Sequence, residues 1–347
     1  MNERRPVLVT GHRGYLGSVM APYLLDHGYD VVGLDTGYFD DCTLVPDPVR
    51  ISTIDKDIRD LSPEDLHDLY AVIHLAALSN DPIGNLDAGW TEAINHDATV
   101  RLAELAREAG VRRFVFSSSC IMYGMNEAGV VDETSPLDPQ TTYARSKVAS
   151  EVALRELATD EFSPTYIRNG TVYGISPRMR FDTVLNDLVA QALTTGHIQI
   201  HGDGAPRRPV VHVGDVARSF RAYLEAPRDV VHDRAFNNGA DHLNHQVREL
   251  AEFAAAAVPG ADVDVLDRDS ADRRTYRASF ARFAETFPDF AWRPAADGAE
   301  QLARELEAAG VRAEDYTGDR YIRLRWLRRL LDEGRLDDDL RWTQEAA

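Results

Sequence analysis

Residues 7–17 read VLVTGHRGYLG, an apolar run followed by three glycines at intervals of three. The run is typical of a buried parallel strand, and Gly11 after it permits a sharp turn. Gly14 lets the backbone approach a pyrophosphate, and Gly17 permits close packing of the helix that follows. Because the N-terminal end of that helix would face the phosphates, the stretch predicts a dinucleotide site. The contacts expected from this loop are Gly11, Arg13, Gly14, Tyr15, Leu16 and Gly17.

An acidic residue ends the second apolar run of the chain. Asp35 closes the run VVGLD, roughly 20 residues after the glycines, where its carboxylate can hold the hydroxyls of an adenosine ribose. Arg13 argues in the opposite direction, because a cation there could meet the 2′-phosphate of NADP. The carboxylate of Asp35 would repel that phosphate, so the sequence favours NAD over NADP.

The remainder of the first half alternates between strand-like and helix-like patterns. Short runs rich in β-branched residues predict strands at 7–10, 31–34, 72–75 and 114–116. Amphipathic stretches predict helices at 15–27, 91–109 and 142–157. This alternation is typical of βαβ units. We therefore expect an α/β fold, a Rossmann-like doubly wound parallel sheet with a smaller mixed α/β C-terminal substrate lobe.

The composition changes after Tyr173, where segments rich in Arg, Pro and Gly give way to helices rich in Ala and Glu. We expect an NAD-binding domain over residues 1–175, a substrate-binding lobe over 176–320 and a C-terminal helical tail over 321–347. The segment 205–235 contains VVHVGDVARSF, which predicts a return to the sheet followed by a helix. The tail carries an apolar stripe in LRWLRRLLDE and is expected to dock on the body of the protein.

Charge and composition exclude several classes of function. The 347 residues include 57 acidic and 38 basic side chains, a formal net charge of −19, which argues against nucleic acid or an anionic membrane as the main partner. Cys42 and Cys120 provide no disulfide framework and fit a reducing compartment. The chain enters a strand pattern without an apolar leader, so we expect a soluble, cytoplasmic protein. No histidine has the spacing to carboxylates or cysteines that would indicate a metal site.

A tyrosine and a lysine lie four residues apart in TTYARSK, residues 141–147. On a helix, Tyr143 and Lys147 share one face, so the ammonium can sit close to the phenol. That neighbour favours the phenolate and makes Tyr143 a candidate general base near neutral pH. If the glycine loop holds a nicotinamide dinucleotide, the same base can take a hydroxyl proton while the cofactor takes the hydride.

With these residues the chain resembles the extended short-chain dehydrogenase/reductase family, in particular its NAD-dependent nucleotide-sugar epimerase and dehydratase branch. The resemblance covers about residues 6–300, and its motifs occur in the expected order: TGHRGYLG, KDIRD, HLAA, INHDAT, FSSSCIMYG, YARSK and GDGAPRRPVVHVGDVA. It implies that Asn95 helps to order the active-site helix and that Lys147 also binds the nicotinamide ribose. Further implied cofactor contacts are Asp57, Ile58, Leu75, Ala76 and Ala77.

The resemblance also implies the third catalytic residue. The family carries its catalytic Ser or Thr four residues before the Tyr of a Tyr-Gly pair, here Tyr123, which places that residue at Ser119. Its hydroxyl would donate to the sugar oxygen while Tyr143 removes the proton. Sugar-nucleotide 4,6-dehydratases usually carry a Glu two residues before that Tyr, often after an Asp, but Ile121 and Cys120 occupy those positions here.

Without that acid, the resemblance favours C4 epimerisation through a transient 4-keto sugar. A 4-ketosugar reductase would use the same three residues in one direction. A dehydratase-like enzyme and an NAD-sensing regulator without turnover are further alternatives.

The substrate implied by the family is a nucleotide-diphosphate sugar, whose diphosphate needs cations. A guanidinium suits bidentate phosphate contact, and the family usually carries an Arg within GDGAPRRPVVHV. Thr171 stands where a substrate-binding Asn is common. The expected substrate contacts are Ser119, Thr171, Arg180, Arg207, Arg208 and Arg274. The apolar faces of the helices at 91–109 and 142–157 exceed what one sheet needs, so we also expect a homodimer.

Overall fold

The structure, a computed structural model, describes residues 6–47, 49–79, 83, 86–125, 129–266 and 275–343. Its strands are β1 (Pro6–Thr10), β2 (Asp30–Asp35), β3 (Ser52–Asp55), β4 (Ala71–His74), β5 (Arg113–Ser119), β6 (Val130–Val131), β7 (Ser163–Asn169), β8 (Thr171–Tyr173), β9 (His197–His201), β10 (Arg207–His212), β11 (Arg234–Asn238), β12 (Asn244–Gln246), β13 (Asp262–Leu266) and β14 (Arg277–Ala278).

Its helices are α1 (Gly17–Asp26), α2 (Ala88–Glu92), α3 (Ala98–Glu108), α4 (Thr142–Glu156), α5 (Val184–Thr195), α6 (Val213–Glu225), α7 (Arg228–Val231), α8 (Val247–Ala257), α9 (Ala281–Thr286), α10 (Ala295–Ala308), α11 (Ala313–Thr317) and α12 (Arg323–Asp332).

Seven strands form one sheet in the order β3-β2-β1-β4-β5-β7-β11. All neighbouring pairs are parallel, and β1, β4 and β5 are buried on both faces along most of their length. The strands expected at 7–10, 31–34, 72–75 and 114–116 are β1, β2, β4 and β5. The prediction of an α/β fold with a Rossmann-like doubly wound sheet is therefore confirmed.

Helices cover both faces of this sheet. On one face, α1 and α6 pack together, and Met20 and Phe220 share a core with Val9 of β1. On the other face, α3 and α4 contribute Leu102 and Leu154 to a second core. A third core joins α5, α8 and α10 outside the large sheet. The large sheet is thus the middle of three layers, as its apolar strands require.

The strand order reverses beside β1, because β2 and β3 lie on one side of it and β4 and β5 on the other. Ligands of doubly wound sheets bind beyond the carboxyl ends of the strands at such a point. His74 ties this region together, since its ring nitrogens lie 2.7 Å from Thr10 Oγ1 and 2.7 Å from Thr99 Oγ1. Burial, together with the nearby Lys147 charge, lowers the pKa of His74 to about 3, so the imidazole is neutral.

The segment at 205–235 differs from the expectation in its strand. β10 does not join the large sheet but pairs with β8 and β12 in a sheet of its own. The helix after it, α6, does pack on the large sheet, and the chain rejoins that sheet at β11. The edge strand beside β7 is therefore β11. β10 belongs instead to the smaller sheet that it forms with β8 and β12.

Two helix predictions also need correction. The helix expected at 91–109 is interrupted by a π turn over Ala93–Asp97, where Asn95 Oδ1 accepts from Leu78 N at 2.8 Å. The tail, expected to be helical, forms α12 and is not helical from Glu333 to Thr343, the last described residue. Gly334 adopts φ 67°, a left-handed conformation that ends the helix, and Leu336 and Trp342 then form an isolated bridge.

Candidate active site

A cavity of about 820 Å³ lies at the strand-order reversal, beyond the carboxyl ends of β1, β4 and β5. It is bounded on the opposite side by residues of the segment 169–184 and by Arg208 of β10. Sixteen of the residues expected from the sequence line it: Gly11, Gly14, Tyr15, Leu16, Gly17, Asp35, Asp57, Ile58, Leu75, Ala76, Ala77, Ser119, Tyr143, Lys147, Thr171 and Arg180. Arg208, also expected, lines it as well.

The glycine loop is packed too tightly for side chains at two of its positions. Gly11 has φ 71°, and a Cβ there would lie 2.8 Å from the backbone nitrogen of Ala76. A Cβ on Gly17 would collide with the carbonyl oxygen of Gly11. Around Gly14, by contrast, the one neighbour of such a Cβ within 4 Å among the described residues is the Gly11 oxygen, at 3.1 Å. Gly14 thus leaves backbone open to the cavity at the start of α1, which fits a bound pyrophosphate.

Asp35 is held rigidly at the end of β2. Its two carboxylate oxygens accept from Arg13 N and Gly37 N, each at 2.9 Å. The Arg13 side chain does not line the cavity and instead binds Asp40, at 3.0 Å, and Asp55. A guanidinium engaged by two carboxylates is poorly placed to receive a 2′-phosphate. The arrangement fits the ribose of NAD better than that of NADP.

Asp57, expected to contact the cofactor, lines the cavity, but much of its carboxylate is engaged within the protein. Oδ1 accepts from Arg59 N at 2.8 Å, and Oδ2 accepts from Arg59 Nη2 at 2.7 Å. Burial opposes ionisation of Asp57, but the hydrogen bonds from Arg59 outweigh it and lower the pKa of the carboxyl. Asp57 and the neighbouring Ile58 therefore form part of the cavity wall.

Tyr143, Lys147 and Ser119 meet at the middle of the cavity. The Thr141 side chain caps α4 by accepting from Ala144 N at 3.1 Å, which places Tyr143 and Lys147 in the first two turns. Lys147 Nζ donates to Ser117 O at 2.8 Å and lies 5.7 Å from the centre of the Tyr143 ring. Ser119 ends β5, and its Oγ accepts from Ile121 N at 3.3 Å. The three side chains therefore line one cavity, which is what the predicted catalytic roles require.

Lys147 is 3% exposed, and burial lowers its pKa to about 7, although the carboxylate of Glu151 opposes this. Glu151 is itself fixed, because it accepts from Ser118 Oγ at 2.6 Å and from Arg168 Nη2 at 2.7 Å. In the ligand-free protein, the ammonium that favours the Tyr143 phenolate is only partly populated at neutral pH.

The position expected to carry the acid of an elimination is apolar. Ile121 lines the cavity, whereas Cys120 is buried behind it and its thiol donates to Arg168 O at 3.0 Å. Burial raises the pKa of that thiol far above its usual range, so it is unreactive. Among the described lining residues the carboxylates are Asp35, Asp57 and Asp182, and the last accepts from Arg180 Nε at 2.8 Å.

Three other expected residues lie away from the cavity or outside the described part of the chain. Arg207 points to the opposite face of β10, where its Nη1 lies 3.4 Å from Asn244 O, because neighbouring residues of a strand alternate in direction. Asn95 sits behind the cavity, where its amide also donates to Leu78 O at 3.1 Å. Arg274 falls outside the described residues.

The structure adds a lining residue that the sequence analysis missed, Arg323 at the start of α12. Its guanidinium lies 4.3 Å from the ring of Phe39, in the loop that follows Asp35. A signal was present, since Arg323 occupies the first place of an i, i+3, i+4, i+7 pattern completed by Trp326, Leu327 and Leu330. A charged residue at a core-facing position is a reason to expect a buried role.

Neither a metal centre nor a membrane helix is found in the described ranges. No group of three or more His, Cys, Asp or Glu side chains among those residues could hold a metal ion. None of the helices described above is long and apolar enough to cross a membrane.

Several known proteins are similar to this chain over most of its length. The UDP-glucose 4-epimerase of Mycolicibacterium smegmatis is 31% identical over 313 residues, covering 86% of this chain and 97% of that protein. The structure of MoeE5 in complex with UDP-glucose and NAD is 27% identical, with a TM-score of 0.75, and covers 88% of this chain and 100% of its own.

A dehydratase is similar to a comparable degree. DesIV, the dTDP-glucose 4,6-dehydratase from Streptomyces venezuelae, was solved with NAD and TYD bound. It is 26% identical, with a TM-score of 0.73, and covers 87% of this chain and 97% of its own. Residues 7–239 match the NAD dependent epimerase/dehydratase family. The chain therefore belongs to this family, as the resemblance predicted, and its cofactor is NAD.

Proposed function

We propose that this protein is a nucleotide-sugar 4-epimerase that acts on a UDP-hexose. One observation carries the proposal: Tyr143, Lys147 and Ser119 line a single cavity in which Ile121 stands where an eliminating enzyme needs an acid. Relatives named UDP-glucose 4-epimerase in Mycolicibacterium smegmatis and Corynebacterium glutamicum support both the reaction and the nucleotide.

The cradle for NAD follows from the glycine loop and Asp35. The adenosine ribose would be held by Asp35, the adenine by the wall at Asp57 and Ile58, and the pyrophosphate by the backbone at Gly14. Leu75, Ala76 and Ala77 would line the path toward Lys147, which would hold the nicotinamide ribose. When bound, NAD supplies a reversible hydride acceptor.

The proton chemistry falls to Tyr143 and Ser119. Tyr143 removes the proton of the sugar 4-hydroxyl as the hydride leaves C4, and Ser119 donates a hydrogen bond to the oxygen that becomes a carbonyl. In the reverse half-reaction, in which C4 would be reduced on its opposite face, Tyr143 would give its proton back to the oxygen. The same three side chains therefore serve both directions, and no further acid is required.

Inversion requires the 4-keto sugar to present its other face while the nucleotide stays bound. Arg180 and Arg208, which both line the cavity on the side facing the large sheet, are suited to hold the diphosphate. Thr171 is smaller than the Asn common in the family and leaves more room near the sugar. The cavity of about 820 Å³ is of the size that a nucleotide-sized ligand occupies.

The test is to incubate the purified protein with UDP-, GDP-, dTDP- and CDP-sugars without added cofactor. We expect a UDP-hexose isomer of unchanged mass, and no isomer from the Tyr143→Phe variant. A product lighter by one water would instead establish a dehydratase. A strict need for stoichiometric reduced cofactor would establish a ketosugar reductase.

We further propose that two copies associate through the helices at 91–109 and 142–157. Val152 of α4 is 56% exposed and Val148 is half-buried, which leaves apolar surface on this face. Leu102 and Leu154, by contrast, are buried within the chain itself. The proposed interface is therefore narrower than the apolar pattern of the two helices suggested.

We also propose the division of the chain into an NAD-binding part, residues 1–175, a substrate-binding lobe, residues 176–320, and a tail, residues 321–347. The position of the cavity supports it, because residues of all three parts line the cavity.

A further inference from the structure

Arg323 is the first residue of α12 and lies beyond the segment that matches the family. Its side chain is 3% exposed, yet it lines the cavity beside Phe39 and Arg180. The start of the helix is anchored on both sides of the cavity. Phe181 N donates to Tyr321 O at 2.9 Å, and Trp326 Nε1 donates to Tyr38 O at 2.8 Å. The position of the guanidinium is therefore fixed by the fold.

Only part of this guanidinium is satisfied by the protein. Nη2 donates to Arg178 O at 2.7 Å, and the plane of the group stacks near the Phe39 ring at 4.3 Å. Nη1 is buried and has no hydrogen-bond partner among the described residues. A buried charged donor without a partner is costly, so the position favours a ligand that supplies the missing acceptor.

The charges around Arg323 are also unbalanced. Arg180 is paired with Asp182 at 2.8 Å and Arg178 with Asp47 at 3.0 Å. Within the described ranges, no carboxylate forms an ion pair with the Arg323 guanidinium. Burial, reinforced by the charge of Arg180, lowers the pKa of Arg323 to about 10. An anion in the cavity would offset this excess of positive charge.

We propose that Arg323 binds a phosphate oxygen of a diphosphate that occupies the cavity, so that the C-terminal segment completes the ligand site. The cofactor and the nucleotide sugar both supply a diphosphate, and for the latter source the inference rests on the proposed function. The geometry fits this chemistry because a guanidinium with one unpaired nitrogen lies in the wall of a cavity that Arg180 also lines.

The test compares Arg323→Met with Arg328→Met. The first variant keeps an apolar stem over Phe39 but lacks the guanidinium, and the second removes an exposed charge from the same helix. NAD released by denaturing the purified protein measures retention of the cofactor. Calorimetric titration with UDP and with uridine measures binding with and without a diphosphate. Hydrogen exchange of residues 323–332 reports whether the helix stays docked.

We expect Arg323→Met to weaken binding of one diphosphate ligand roughly ten- to hundredfold, with uridine binding and hydrogen exchange unchanged. Loss of NAD identifies the cofactor as the source, and loss of UDP affinity identifies the sugar nucleotide. If the methionine variant does not fold, Arg323→Lys takes its place. Lysine keeps the charge but not the two parallel donors of the guanidinium, so we expect a smaller loss of affinity for the same ligand.

Unchanged retention of NAD and unchanged UDP affinity in Arg323→Met would overturn the inference. So would an equal loss for uridine and UDP accompanied by faster exchange, because Arg323 would then only anchor the helix. A wild-type protein that retains NAD but binds no UDP would refute the proposed substrate, while the NAD measurement would still decide the role of Arg323.

Discussion

Replacing Lys147 with methionine should stabilise the cofactor-free protein at neutral pH while abolishing turnover. The amine is 3% exposed, and burial lowers its pKa to about 7 from 10.5. Because the unfolded chain binds this proton more readily, the wild type gains stability as the pH rises from 7 to 10.5. Below pH 7 the buried charge lowers the unfolding free energy by its full amount, and above pH 10.5 it no longer does so.

The magnitude follows from these two pKa values. A tenfold change in proton affinity corresponds to about 1.4 kcal/mol, so the amine costs about 4 kcal/mol of unfolding free energy at pH 7 and about 2 kcal/mol at pH 9. Methionine removes this cost but also removes the hydrogen bond to Ser117 O, worth about 1–2 kcal/mol. The net gain should therefore be about 2–3 kcal/mol at pH 7 and close to zero at pH 9.

Urea unfolding of the cofactor-free variants at pH 7, 8 and 9 measures this difference. The sequence contains two lysines, Lys56 and Lys147. Lys56→Met is the matched control, because Lys56 is 40% exposed and pairs with Asp65 at the surface. In the wild type, lysine-selective NMR should follow both titrations directly. A stability difference that does not change with pH, or a Lys147 signal that titrates near 10.5, would refute the reasoning.

Tyr143→Phe should lower kcat by about 10²- to 10⁴-fold with unchanged NAD content, and retention of activity would remove Tyr143 from the base role. Asp35→Asn should weaken NAD binding about tenfold while improving the relative affinity for NADP, because repulsion of a 2′-phosphate is reduced. The ratio of the NAD and NADP dissociation constants, compared between the variant and the wild type, measures this change. An unchanged ratio would show that Asp40 and Asp55, which bind Arg13, set the preference for NAD instead. Val152→Arg should raise the dimer dissociation constant at least tenfold in sedimentation experiments. Val265→Arg, at another exposed valine, is the control and should leave that constant unchanged. Equal dissociation constants for the two variants would place the interface elsewhere.

The parts of the fold that follow from local periodicity could be predicted from the sequence, but three strands of the large sheet, β3, β7 and β11, were not among the predicted strands. β7 reads SPTYIRN and is buried along its whole length, but its polar residues hide the apolar pattern. Arg168 is neutralised by Glu151 at 2.7 Å, and Asn169 donates to Ser117 Oγ at 3.2 Å. β11 reads RAFNN and is similar, since Asn238 donates to Asn169 Oδ1 at 2.8 Å. Such strands depend on partners far away in the sequence.

The same distinction applies to the site. The glycine loop and the Tyr143–Lys147 pair are local patterns, so their geometry could be read directly from their spacing. The sequence could also have predicted that only one of Arg207 and Arg208 faces the cavity, because neighbouring residues of a strand point to opposite faces. Arg323 could not be placed, since its contact with Phe39 joins positions nearly three hundred residues apart. Only its place in the apolar stripe of α12 hinted at burial.

The electrostatics of the cavity connect ligand binding to catalysis. The chain carries a formal net charge of −19, yet Arg180, Arg208, Arg323 and Lys147 line one cavity. Burial, and after it the charge of Arg180, lower the pKa of Arg323, so its charged form is disfavoured in the absence of a ligand. A bound diphosphate reverses this balance and, by Coulomb attraction through a poorly solvated cavity, also favours the charged form of Lys147. The ammonium form of Lys147 is then most populated when anionic ligands are bound, so a Tyr143 phenolate would be most populated in the complex that needs it.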